Sequence, residues 1–340
     1  MKFKLLPLAV MAALPFSAFA EGPIDGTLYG KVNLTVDRLK QELEIGAASD
    51  DASQWELNTN ASRIGVKGKS DLTDSLKVIY KLEWEVDTAG DGTDLKARNR
   101  YVGLSGGFGT IIGGKHDTPT KLAQNKIDLF NDLSGDIKNV FEGENRINNI
   151  VMYTTPTWGP LSITTAFAPA EDAGGSGVPS GDNKAGETGD DGIADGISIA
   201  AQLDFGNVYI ALAADKDIDG QDLVRLVGQF DLGPVVLGAM LQQNEDIATG
   251  GDNLDESGIF VSAAMKVGGK GKIKFQYGQT EDDSQSYDIN ADTLSLGYDH
   301  KLGKSTKTFV YATQIKNEAD SMLPVEFTET VFGLGLEHKF

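Results

Sequence analysis

Leu76-Lys77-Val78-Ile79-Tyr80-Lys81-Leu82-Glu83-Trp84-Glu85-Val86 is the stretch that decides the fold. Successive side chains of an extended chain point to opposite faces. Leu76, Val78, Tyr80, Leu82, Trp84 and Val86 therefore share one face, and Lys77, Ile79, Lys81, Glu83, Glu85 and the following Asp87 share the other. One side is apolar and aromatic while the other carries five charges. A soluble sandwich rarely needs so long a strand so divided, whereas a strand set between hydrocarbon and water needs both faces.

The same alternation precedes and follows it. Leu28, Gly30, Val32, Leu34 and Val36 oppose Tyr29, Lys31, Asn33, Thr35 and Asp37. Further candidate strands lie near 54–67, 95–105, 108–116, 145–155, 160–169, 193–204, 207–215, 222–231, 234–243, 258–267, 271–280, 291–300, 306–315 and 329–340. With the first two they make about sixteen, an even number as single-chain bacterial barrels require. Tight-turn candidates at 71–75, 106–107, 205–206, 231–233, 268–271 and 303–305 alternate with longer polar stretches at 38–53, 87–94, 117–144, 170–192, 243–257, 281–290 and 316–328. That rhythm predicts an all-β transmembrane antiparallel barrel, short turns on the periplasmic side and long loops outside.

Residues 1–20 are set apart. Lys2 and Lys4 precede an apolar run from Leu5 to Phe19, and Ala18-Phe19-Ala20 forms a small-x-small cleavage signal. The run is too short to span a bilayer comfortably and Glu21-Gly22-Pro23 breaks it, so a cleaved signal peptide at 1–20 and a barrel domain over 21–340 are expected. No later segment approaches the roughly eighteen consecutive apolar residues of a membrane helix. The chain has no cysteine, so packing and backbone hydrogen bonds must stabilise it. Its formal charge of −20 becomes two units more negative once Lys2 and Lys4 are removed, which disfavours nucleic-acid binding. The Gly-, Asp- and Glu-rich segment 171–195 reads as a solvated external loop or, with Asp182, Asp190, Asp191 and Asp195, as a calcium loop, although its spacing matches no defined one.

Leu28-Tyr29-Gly30-Lys31, Ser62-Arg63-Ile64-Gly65-Val66-Lys67-Gly68, Arg98-Asn99-Arg100-Tyr101-Val102-Gly103-Leu104 and a terminal strand ending in Phe340 occur in this order. In these four pieces the sequence resembles the general diffusion porins of Gram-negative outer membranes, a family of trimeric sixteen-stranded barrels. The resemblance implies a water-filled channel for ions and small hydrophilic solutes, with no reaction and no cofactor or metal. It implies a homotrimer in outer-membrane lipid and lipopolysaccharide, latched by the loop around 87–94, with Phe340 recognised by the outer-membrane assembly machinery. It further implies a basic cluster on the barrel wall, matched here by Lys31, Arg63, Arg98 and Arg146, facing an acidic third external loop folded into the lumen.

Alternation supports the wall cluster separately. Lys31 lies opposite the Leu28 face, Arg98 and Arg100 lie opposite Tyr101, and Arg146 lies opposite Tyr153, with Lys115 joining them. A guanidinium facing acyl chains at mid-depth costs roughly 2–4 kcal/mol, so these charges are expected in the lumen. The bland alternative is that some sit near strand ends and snorkel. The acidic partner is expected in 117–144, where Asp128, Asp132 and Asp136 recur every four residues, a spacing suited to a helical turn with one acidic face. The segment departs from the Pro-Glu-Phe-Gly-Gly run of the enterobacterial relatives. Opposed charges across water would orient polar solutes, and the acidic exterior predicts a weak cation preference.

Rival readings are a substrate-specific porin for oligosaccharides or phosphate, an outer-membrane hydrolase, and a soluble secreted β-protein. A sugar channel wants a ladder of lumenal aromatics, and alternation puts only Tyr29 there, with Tyr80, Trp84, Tyr101 and Tyr153 facing out. A hydrolase needs a Ser/His pair, and His116, His300 and His338 have no obvious serine partner.

Overall fold

In a computed structural model of the chain, the residues described are 25–90, 92, 94–169, 193–246, 255–283, 288–320 and 323–340. The expected signal peptide and most of the 171–195 segment lie outside them. The strands are β1 (Asp25–Ile45), β2 (Ala48–Thr59), β3 (Arg63–Thr73), β4 (Leu76–Val86), β5 (Leu95–Gly106), β6 (Gly109–Asp117), β7 (Arg146–Thr154), β8 (Leu161–Ala168) and β9 (Gly196–Asp204). They continue as β10 (Val208–Ile218), β11 (Gln221–Asp231), β12 (Val235–Asp246), β13 (Asp255–Val267), β14 (Gly271–Asp283), β15 (Asp288–Lys301), β16 (Thr306–Asp320) and β17 (Val325–Lys339).

Apart from β2 and β3, which do not pair with each other, each strand pairs antiparallel with its sequence neighbours, and β1 pairs with β17 from Lys31↔Lys339 to Ile45↔Val325, so the sheet closes on itself. The outer half of β1 pairs with β2 and its inner half with β3. β2 and β3 are thus two halves of one barrel strand, interrupted at Asn60-Ala61-Ser62, where Ala61 adopts φ +46°. The Ser62 hydroxyl and the Asn60 carbonyl repair the gap by accepting from the Asn33 amide and side chain. Seventeen segments therefore make a sixteen-stranded barrel. Among the described residues β2 pairs with β1 alone, while every other strand is paired on both sides, the condition for a sheet to stand in hydrocarbon.

The two faces differ as the alternation predicts. Leu28, Val36, Leu212, Leu226, Leu241, Phe332 and Leu334 are exposed, all on the outward face. Lys31, Asn33, Thr35 and Asp37 point inward and are buried. Such a continuous apolar girdle would be a liability on a soluble protein. Its outer limit is visible in the register: Leu226, Leu241, Ile259 and Gln279 form one outward row, and the next row towards the long-loop end reads Val224, Gln243, Ser257 and Glu281.

All six tight-turn candidates join strands at one end of the barrel. The expected loop lengths need correcting. Residues 38–53 are almost entirely a hairpin, β1 running to Ile45 and β2 starting at Ala48. Much of 243–257, 281–290 and 316–328 is likewise strand rising above the girdle. Polar sequence signals exposure to water, and a strand projecting beyond the bilayer is as exposed as a loop.

Alternation is broken at one consequential place. Leu82 pairs with Arg100 but Trp84 pairs with Ala97, so Glu83 faces two residues, Arg98 and Asn99. The extra residue of this bulge reverses the faces beyond it. Arg98 keeps its inward place, while Tyr101 moves inward and packs at a tilt against His116 with ring centroids 5.2 Å apart. Arg100, paired with Leu82 and with Lys115, joins the outward row. The expectation that Arg100 and Lys115 line the lumen, and that Tyr101 faces out, is therefore corrected.

Candidate functional site

The connection between β6 and β7 packs along the inward face of the wall. Its short helix α1 (Pro119–Ala123) begins at Thr118, whose hydroxyl accepts from the Lys121 amide, with Pro119 at the first turn. Thr120 donates to Asp215 on β10, and Tyr209 donates to the Ala123 carbonyl. The chain then passes over β12 at Ile127, meets Gln276 and Lys274 of β14 at Leu129, and buries Phe130 against Gly297 and Tyr311. It reaches β1 and β3 at Asp132. The return limb touches Tyr311 at Ser134, Thr280 of β14 at Val140, and Phe260 at Phe141. It ends where Arg225 of β11 takes the Glu142 carbonyl and the Glu144 carboxylate. An apolar core formed by Ile127, Ile137, Val140, Phe141, Met240 and Phe260 lies between loop and wall.

Asp132 is the acid this path delivers to Lys31 and Arg63. Its Oδ2 accepts from Lys31 Nζ at 2.8 Å and from the Arg63 guanidinium at 2.6 Å. Burial alone would raise its carboxyl, but Lys31 and Arg63 outweigh that and hold it below the usual carboxylate range. The charges expected to oppose each other across water are here in contact. A cavity of about 400 Å³ adjoins the contact, lined by Tyr29, Lys31, Arg63, Glu83, Asn131 and Asp132 among others.

Asp128 and Asp136 do not reach the wall cations. Asp128 accepts from the Phe130 and Ile137 amides, and Asp136 from the Asp132 and Lys138 amides. Burial and the neighbouring Asp136 push the Asp128 carboxyl well above its ordinary value. The expected helical turn over 128–136 is replaced by tight turns, because short carboxylates that capture nearby backbone amides compete with helix hydrogen bonds. Asp132 itself sits at φ +68°, a conformation aspartate tolerates better than most residues.

The basic residues divide. Lys31 and Arg63 hold Asp132, and Arg98 pairs with Glu83 at 3.0 Å and Glu85 at 2.8 Å. Glu83 also accepts from the Tyr29 hydroxyl and lies 3.2 Å from Lys81. Arg146 stands in a separate group, donating to Asn99 and lying 2.9 Å from Asp117. The residues that sequence reasoning left out are the acids Glu83 and Glu85. Their place opposite Leu82 and Trp84 in the opening stretch already required them to face the lumen.

Phe340 lies at the barrel seam, where its backbone exchanges hydrogen bonds with Gly30 at 2.9 and 3.1 Å. Its ring covers Gly30 so closely that a Cβ there would come within 2.3 Å of it.

Comparison with known proteins agrees with this architecture. The profile of the family described as Gram-negative porin matches residues 8–320. Outer membrane porin protein 32 of Delftia acidovorans is 29% identical over 96% of this chain and 93% of its own length. Major outer membrane protein P.IB of Neisseria gonorrhoeae is 25% identical over the whole of both chains. Among solved structures, the anion-selective porin from Comamonas acidovorans superposes with a TM-score of 0.73 at 23% identity, covering 93% of this chain and all of its own. OmpT of Vibrio cholerae in a trimer form gives 0.67 at 14% identity, covering 93% and 99%. The chain belongs to the Gram-negative porin family and is a diffusion channel of the outer membrane.

Proposed function

We propose that Lys31, Arg63 and Arg98 on the wall and Asp132 on the inner loop form the narrowest part of the channel and set what passes. The observation that carries this is the single carboxylate oxygen of Asp132 held by both Lys31 and Arg63. Fixed charges in a narrow aqueous passage favour hydrated polar solutes and penalise apolar ones. Transport here is passive, without catalytic turnover. Replacing Asp132 by Asn tests the reading: planar-bilayer recordings should show altered single-channel conductance and a shifted reversal potential. An unchanged pair of values would overturn it.

The strongly acidic chain supports weak cation preference. Anion preference is the second reading, favoured by inward-facing Lys272, Lys274 and Lys307 gathered around Asp299 and by the description of the Comamonas relative as anion-selective. The sign of the reversal potential in a salt gradient separates the two.

The working unit is a homotrimer, an assembly supported by the trimer form described for the Vibrio relative and by the apolar outward faces available for subunit contact. Closure in three equal conductance steps tests it. Residues 1–20 are a signal peptide removed on export, Phe340 is read by the assembly machinery, and lipid with lipopolysaccharide surrounds the girdle. Mass spectrometry of the exported chain should find Glu21 first.

A further inference from the structure

Segment 129–135 leaves the wall and returns to it at one side chain. Gln276, fully buried on the inward face of β14, accepts from the Leu129 amide with its Oε1 at 3.0 Å and donates to the Gly135 carbonyl with its Nε2. Lys274, two residues along on the same face, donates to the Leu129 carbonyl at 3.1 Å. Asp132 is the middle residue of the seven so enclosed. Its own amide is fixed by Asp136, and a turn closes from the Phe130 carbonyl to the Leu133 amide. At the far end Gly135 lies against the Ser295 and Thr313 hydroxyls with no room for a side chain.

The geometry points to Gln276 as the positioning residue of the constriction: by pinning both limbs of the 129–135 turn to β14, it fixes how far Asp132 reaches towards Lys31 and Arg63. This rests on the reading that Asp132 shapes the pore. The amide is suited to the task because it offers one acceptor and one donor on a single rigid plane, matching one amide and one carbonyl of the loop. A carboxylate would lack the donor and an aliphatic chain would lack both. Gln276 touches no permeating ion, so its influence runs through Asp132. The positive φ at Asp132 makes this a conformation that needs outside support.

The test is a double-mutant cycle on the full chain in planar bilayers, with Gln276→Leu, Asp132→Asn and both together. The expected result is that Q276L shifts the reversal potential with the same sign as D132N and by at least about half as much, while adding little in the D132N background. Equal Q276L shifts with and without Asp132 would mean a general effect on the barrel and would overturn the proposal. So would a normal reversal potential in Q276L beside a shifted one in D132N. A D132N channel indistinguishable from the native one would remove the underlying reading instead. Should Q276L fail to assemble, Gln276→Asn keeps both hydrogen-bonding functions on a shorter stem. It should give a smaller shift of the same sign, again lost without Asp132, and a shift that persists without Asp132 overturns the proposal.

Discussion

Arg225 of β11 and Glu144 of the inner loop stand 2.7 Å apart, the guanidinium wholly withdrawn from solvent. Arg225 also holds Gln242 and the Glu142 carbonyl, so it fastens the loop's return limb to the wall. Removing one member of a buried pair strands the other, at a cost of about 3–5 kcal/mol. Arg225→Met should therefore lower the temperature at which the folded form converts to the unfolded form on a heat-modifiability gel. It should also raise open-channel noise, since the limb it anchors is freed.

Acid should not release Asp132 until well below neutrality. A carboxyl held low in the folded protein contributes stability above its unfolded value and loses it as pH falls through the folded one. The Lys31–Asp132–Arg63 contact should persist at pH 5 and fail only below about pH 4, near and under the ordinary aspartate value. Conductance recorded from pH 7 to pH 3 checks this: a transition centred near pH 6 would contradict it.

The bulge at Arg98-Asn99 predicts opposite chemistry for near neighbours. The chain has no native cysteine, so single replacements are clean. Arg98→Cys should react with a charged, membrane-impermeant thiol reagent added to the open channel and change its conductance. Arg100→Cys, on the outward row, should leave conductance unaltered under the same treatment.

At the seam, Gly30→Ala should impair assembly, because the new methyl would meet the Phe340 ring and, at 2.8 Å, the Arg63 carbonyl. The fraction of chain reaching the heat-modifiable form in refolding should fall several-fold relative to the native chain. A double variant with Phe340→Ala should recover only part of the loss, since the Arg63 carbonyl remains.

Period-two patterning made the barrel legible because lipid and water impose the same alternation on every strand. It also placed Lys31 on the lumenal face, and Arg63, which only the family resemblance singled out, pairs directly with it in the register despite the break at Asn60-Ala61-Ser62. Arg100, Lys115 and Tyr101 were beyond its reach, since one inserted residue inverts every later face and nothing in Arg-Asn-Arg announces the insertion. The loop was legible only as acidic and long. Which carboxylate meets the wall depends on which ones the loop's own amides consume, and Asp128 and Asp136 are consumed that way. The clamp at Gln276 joins residues 147 positions apart, a separation no local pattern reports.

The ladder between β1 and β17 joins the two strands most distant in sequence. Every hairpin can zip locally, yet the ring exists only when this one long-range pairing forms, and its entropic penalty is concentrated in a single late event. Until then both outer strands present bare amides and carbonyls to whatever is nearby. A chain caught at that stage is an adhesive sheet in need of an escort, and the speed of sealing sets how long the escort must stay.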